Sequence, residues 1–203
     1  RYQFYTYTWE GINTKNGFSL YKFNDDEYYF TDGTTTYGNT EGKKISGNEL
    51  NAVVVIDGVP YSYMTTYAKR EFQGSALPTC FGSFNFTVDY KDFSLFTLFT
   101  YQLGGKVLDS NYSMLMSSSG TPQALHKDVL KGWTAEQATA TDAIDRNGIP
   151  MLSDVPTIVT GMEADLNSTS SRWLTSASYL ILKNVNLSTS RSEERRVGKE
   201  CRS

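Results

Sequence analysis

His126 is the only histidine among 203 residues, so a Ser-His-Asp or Cys-His nucleophilic arrangement would have to be built around it. Its neighbours Lys127 and Asp128 give it instead the setting of a surface helix, and catalysis has to be argued from site geometry. Asp25, Asp26 and Glu27 form a run of carboxylates in a polar stretch. The acids of a glycoside hydrolase are defined by their separation in space, which sequence spacing does not supply, so the run reads as a solvated face. DAIDRNG, residues 142–148, holds a D-x-N-G fragment similar to part of a calcium loop, but lacks the regular series of oxygen ligands and the terminal Glu. Asn85, Asn111, Asn167 and Asn186 each open an N-x-S/T triplet, which a Ser/Thr-rich chain produces often by chance. Cys80 and Cys201 are the two cysteines, too few for a disulfide framework or a metal site. These residues assign no catalytic group, no metal ligand and no cofactor, and leave substrate-binding positions unknown.

The elements that would position any site are dominated by aromatic and Ser/Thr-rich strands. In GSFNFTVDY, residues 82–90, Phe84, Phe86, Val88 and Tyr90 alternate with Ser83, Asn85, Thr87 and Asp89, the pattern of a two-faced strand. Lys91 and Asp92 link it to FSLFTLFTYQL, and the two together predict a hairpin. YQFYTYTWE at the start and YLILKNVNLS from Tyr179 read as further long strands. In the latter, Tyr179, Ile181, Val185 and Leu187 are expected on one face. Between the strands lie long polar connections, 11–77 and 104–172, and connections of that length are uncommon in compact domains. Within the first, Val53 to Ile56, Asp57-Gly58 and Val59 to Met64 predict a small hairpin with Pro60 keeping its arm at an edge. Within the second, NYSMLMSS and ALHKDVLKGW predict short helices, with Leu125, Val129 and Trp133 as buried positions and Gly132 near the helix end.

No apolar run reaches the ~18 residues of a membrane helix, but a membrane strand needs only about 9 to 11. Aromatics at strand ends fit either the interface girdles of a membrane barrel or the core of a soluble β-sandwich. One short turn beside two long connections is the loop asymmetry of an outer-membrane barrel, and it favours the first. The formal charge is −3, and the final thirteen residues contribute five basic and three acidic groups, so the rest is more acidic still, which argues against nucleic acid as a partner.

The stretch GSALPTCFGSFNFTVDYKDFSLFTLFTYQLGGKVLDSNYSMLMSSSGTP, followed by ALHKDVLKGWTAE and later by SSRWLTSASYLILKNVNLS, resembles the SusC/RagA family of TonB-linked (TonB-dependent) outer-membrane transporters. The opening YTYTWEGINTKNGFSLY is similar to another segment of that family. Departures fall at Cys80 to Ser83, at Leu125 and at Ala135. VVVIDGVP also resembles part of the family's N-terminal plug, although its position between barrel segments argues for a loop hairpin.

The resemblance implies an all-β fold: a fragment of a large transmembrane antiparallel β-barrel, contributing about four long strands, with long extracellular loops carrying short helices. Residues 1–190 would be a partial C-terminal portion of that TonB-dependent receptor barrel. Residues 191–203, RSEERRVGKECRS, resemble the in-frame translation of a sequencing adapter and are set aside as a non-native tail. The implied setting is the cell outer membrane, with its lipid, a SusD-like surface lipoprotein, and the TonB complex reached through a missing N-terminal part. The implied cargo is an oligosaccharide or peptide, with no cofactor, no enzymatic step and no nucleic acid. Trp133 and Tyr112 are the loop aromatics that could meet lipoprotein or substrate, against the ordinary preference of large aromatics for packing. The alternative is a secreted, soluble carbohydrate-binding β-sandwich, whose apolar strand face would pack on a second sheet.

Overall fold

The structure, a computed structural model, describes residues 2–117, 124–134, 155–157 and 163–189. The 142–148 fragment, Ala135, Cys201 and the 191–203 tail lie outside them. In chain order the first strands are β1 (Gln3–Tyr7), β2 (Trp9–Ile12), β3 (Ser19–Lys22), β4 (Tyr28–Asp32), β5 (Thr35–Gly38), β6 (Lys43–Lys44), β7 (Val53–Ile56), β8 (Val59–Ser62) and β9 (Arg70–Ser75). They are followed by β10 (Cys80–Tyr90), β11 (Phe93–Leu103), β12 (Lys106–Leu108), α1 (Ser110–Met116), α2 (Glu163–Leu166), β13 (Leu174–Ser176) and β14 (Tyr179–Thr189). Contacts divide the chain into two units, Arg1–Ala76 with Lys106–Thr175, and Leu77–Gly105 with Ser176–Ser203.

The first unit is built from short strands. YQFYTYTWE does not continue as one strand, because it changes partner at Thr8. The Thr8 N–H donates to the Lys69 carbonyl and the Thr8 carbonyl accepts from the Lys22 N–H. Before that residue β1 pairs with β9, and after it β2 pairs with β3. The second sheet runs β2-β3-β8-β7. The β7–β8 hairpin turns on Asp57 and Gly58, whose φ values of 51° and 81° are those a tight two-residue hairpin turn requires. Pro60 does not sit on an edge strand, since β8 lies between β3 and β7. It is tolerated because β3 reaches only Ser62 and Tyr61, leaving Pro60 paired on one side.

The core of this unit gathers Phe23, Phe30, Ile45, Ala52, Val53 and Tyr67 from separate parts of the sequence, with Ala52 and Val53 adjacent. Phe23 and Phe30 meet edge to face at 5.2 Å, and Tyr28 meets Tyr67 in the same way at 5.2 Å. A second cluster holds Met116, Val129 and Trp173, with Tyr112 packed against it. The predicted helix NYSMLMSS is α1, and Asp109 caps it by accepting the Tyr112 N–H. The predicted helix ALHKDVLKGW tightens to a single 3₁₀ stretch, Lys127–Lys131, closed by Gly132. Val129 is buried as expected, whereas Leu125 is 42% exposed.

The second unit is one antiparallel sheet in the order β10-β11-β14, with strands of 11 residues each. The Lys91-Asp92 hairpin forms as predicted, Tyr90 facing Phe93 across the turn. The alternation expected along YLILKNVNLS is broken by a bulge. Leu98 faces Asn184 but Phe99 faces Leu182, so Lys183 is the extra residue. Directly opposed residues share a face. Leu180 and Leu182 therefore join Val185 and Leu187 on the side of Phe84, Phe86, Leu95 and Phe99, while Tyr179 and Ile181 move to the side of Asn184 and Asn186. One face is thus mostly apolar, with Thr97 at its middle, and it is open: Phe86 is 46% exposed and Leu187 65%.

The expectation of an all-β fragment of a transmembrane barrel is corrected here. The described residues form mixed α/β structure in separate open sheets, none closed on itself. Three long strands form where about four were expected, because the opening segment divides at Thr8 between two small sheets. The stretch read as an extracellular loop, 11–77, is a folded body with its own core. No helix among the described residues is long and apolar enough to cross a membrane, which bears on helices alone.

Candidate functional site

The side chains with chemical potential fall into two places in the first unit. His126 ends up as a cap. Its Nδ1 accepts the Asp128 N–H at 3.2 Å, at the start of the 3₁₀ stretch. Its ring lies edge-on to Tyr112 at 5.0 Å. Asp128 takes the Tyr112 hydroxyl on Oδ2 at 3.1 Å and pairs through Oδ1 with Lys131 at 2.8 Å. The Lys131 bond, followed by that of Tyr112, holds the Asp128 carboxyl below its usual range, and burial followed by the same carboxylate raises the Tyr112 phenol. Among the described residues His126 contacts Tyr112, Leu115 and Asp128, and these contacts close the loop ahead of the 3₁₀ stretch.

Trp133 is held as firmly. Its indole Nε1 donates to the Thr14 carbonyl at 2.9 Å. Its ring lies over Gly17, where a Cβ would come within 2.6 Å of it. The preceding turn is shaped by Asn13 and Asn16, whose side-chain oxygens accept the N–H groups of Lys15 and Phe18. Tyr112 and Trp133 are therefore both packed, half-buried groups. Among the triplet asparagines, Asn167 accepts from Arg172 at 3.2 Å, and Asn85 and Asn186 lie on strands. Cys80 is exposed, its thiol 3.8 Å from the Tyr101 hydroxyl.

The acidic run 25–27 borders a cleft of about 290 Å³ lined by Tyr5, Tyr7, Asp26, Glu27, Lys69 and Arg70 among others. β1 and β9 bring the tyrosines and the arginine together, because Tyr7 is the register partner of Arg70 and Tyr5 that of Phe72. The Arg70 guanidinium lies over the Tyr7 ring at 4.3 Å and donates to its hydroxyl at 2.8 Å. Lys69 is bound by two carboxylates, Asp25 at 2.6 Å and Asp26 at 2.9 Å. Hydrogen bonds to those acids, Asp25 first, push the Lys69 ammonium well above its ordinary value, and the Lys69 bond lowers Asp25. Sequence reading found the acids and missed Tyr5, Tyr7, Lys69 and Arg70. Their convergence depends on strand pairing across more than sixty positions, and no local pattern signals it. Among the described residues no group of three or more His, Cys, Asp or Glu could hold a metal ion.

The fold is similar to part of a known transporter. The RagAB peptide transporter aligns at a TM-score of 0.53 with 19% identity, over 91% of this chain and 16% of that one. The RagAB peptide importer in the "closed-closed" state aligns at 0.48, with 19% identity and the same two coverages. This chain thus spans about one sixth of the length of the chains it matches. No family model matches it, and no curated protein does.

Likeness at 19% identity establishes a shared fold and nothing finer. The resemblance to the SusC/RagA family of TonB-dependent receptors is corrected to that level. Its β-barrel and outer-membrane attributes do not carry over either, since the sheets described are open.

Proposed function

We propose that this chain is part of a nutrient-transport protein of an outer-membrane-associated system. On this reading, it takes up an oligosaccharide or a peptide together with a SusD-like surface lipoprotein. TonB would act on segments outside this chain, and residues 1–190 would be its native part, with 191–203 adapter-derived. The observation that carries the reading is the fold shared with the RagAB peptide transporter along 91% of this chain. The packed loop aromatics and the capping role of His126 agree with a protein that performs no covalent chemistry.

The alternative, a secreted carbohydrate-binding sandwich, required the apolar strand face to be covered by a second sheet. That face is exposed instead, with Phe84 at 47% and Leu182 at 49%. The test is to recover the complete gene, delete it, and measure uptake of labelled oligosaccharides and peptides, while isolating the tagged protein for a lipoprotein partner. Loss of uptake of one class with a co-purifying lipoprotein supports the reading. Unchanged uptake of both classes, with the protein recovered alone, would refute it.

A further inference from the structure

The cleft in the first unit holds two opposite charges, Arg70 and Glu27, that enter no ion pair among the described residues. Lys69 is saturated by Asp25 and Asp26. Arg70, exposed beside it, makes a single side-chain hydrogen bond among the described residues, to the Tyr7 hydroxyl. A guanidinium carries five N–H donors in a fixed fork suited to a carboxylate, so most of its capacity is unspent. The Tyr7 ring beneath it fixes the fork at 4.3 Å, which lowers the entropy lost when a ligand is taken. Glu27 borders the same cleft, and its carboxylate enters no ion pair or side-chain hydrogen bond among the described residues. Arg70 and Glu27 do not bridge to each other.

We propose that this cleft is a binding subsite for a small zwitterion, with Arg70 taking a carboxylate and Glu27 an ammonium of the same ligand. The charge arrangement selects against the alternatives. A simple anion meets Asp26 and Glu27 in the lining, and a simple cation meets Arg70 there. A neutral polyol leaves both charges without a counter-charge. Tyr5, packed against Phe72 with rings 5.1 Å apart and itself 58% exposed, offers an apolar shelf for whatever joins the two charged ends. The chemistry is shared by free amino acids and by short peptides with both termini free. The inference goes beyond the transport reading and stands without it, because binding is read on the chain itself.

The test is calorimetric titration of the full 203-residue chain, kept in mild detergent, with tetraalanine, its C-terminal amide, its N-acetyl form and free L-alanine. Tetraalanine binds, and capping either terminus weakens binding about tenfold, as expected for one lost charged hydrogen-bonded contact. Arg70→Gln removes the preference for acid over amide and leaves the preference for free over acetylated amine; Glu27→Gln does the reverse. Free L-alanine binding as tightly as tetraalanine assigns the site to amino acids, and weaker binding assigns it to peptides. Equal affinity for the three peptides, preferences that survive both substitutions, or no binding to a chain with native far-UV circular dichroism each overturns the proposal. If Arg70→Gln fails to fold, Glu27→Gln with the acetylated peptide decides alone. Failure here leaves the uptake experiment standing, and failure of uptake leaves this site standing.

Discussion

Gly17→Ala tests how tightly Trp133 closes the turn between β2 and β3. Gly17 has φ +73°, a left-handed conformation that costs an L-residue about 1–2 kcal/mol. The new methyl also restricts the unfolded chain, which returns about 0.4–1 kcal/mol. Backbone strain alone therefore predicts a loss near 1 kcal/mol. The added Cβ would lie 2.6 Å from two Trp133 ring atoms and 2.8 Å from a third, so the indole must move. Moving it breaks the 2.9 Å bond to the Thr14 carbonyl, worth about 1 kcal/mol. The expected total is about 2 kcal/mol, read from urea unfolding by far-UV circular dichroism. In a Trp133→Leu background only the strain remains, so the same substitution costs about 1 kcal/mol, and the cycle yields a coupling of about 1 kcal/mol. Equal costs in the two backgrounds would refute the packing argument, and a total below about 0.5 kcal/mol would refute the strain argument as well.

Lys91 carries φ 53° in the β10–β11 turn, so Lys91→Gly should hold or raise the melting temperature, while Lys91→Val should lower stability by about 1–2 kcal/mol. A lower melting temperature for the glycine variant than for the valine variant would contradict this. Tyr112→Phe removes the 3.1 Å bond to Asp128 and should cost about 1 kcal/mol without moving Trp173, checked by unfolding together with tryptophan fluorescence. Acid dependence follows from Asp25, whose folded value lies below its ordinary 3.8. The contribution of its pair with Lys69 is present above that pH and lost as pH falls through the folded value. Lys69 is raised, so its contribution is full below its unfolded value of about 10.4 and is lost only as pH climbs past the folded one. Melting temperature measured downwards from pH 6 should therefore fall below about pH 4, and less steeply in Lys69→Met. Identical acid limbs in the two proteins would remove this pair from the account. Because Asp25 is 54% exposed, solvent screening keeps the effect small.

The strands that could be read in the sequence were those long enough to show a period. β10 alternates apolar and polar residues from Ser83 to Tyr90 and meets the aromatic-rich β11 at a two-residue turn, and both features are local. β7 and β8 were legible through one dipeptide, Asp57-Gly58. The rest of the first unit was not legible, because its strands run only two to six residues and its core residues come from elements scattered along the chain. Phe23, Phe30, Ile45 and Tyr67 have no common period, so the stretch containing them looks like loop. Thr8 hid the break in the opening strand, since a threonine that changes hydrogen-bonding partner looks like any other β-former. At the candidate site the acids were visible as a run, whereas Arg70 over Tyr7 is a product of strand register. Leu125 was misplaced by helical spacing carried back past His126, which caps a 3₁₀ stretch that begins only at Lys127.

Lys183 sets the phase of β14. Without it the strand would read Tyr-Leu-Ile-Leu-Asn-Val-Asn-Leu, a regular alternation that keeps Leu180, Leu182, Val185 and Leu187 on one side. A single-codon deletion within a strand ordinarily inverts every side chain beyond it. Here the bulge is exempt: losing Lys183 would straighten the ladder and preserve the apolar and polar sides. Loss of Lys183 or of Asn184 should therefore be tolerated, since either leaves one polar residue opposite Leu98, whereas loss of Leu182 would put Lys183 on the apolar side. The bulge is a place where the gene can lose a residue without rewriting the sheet.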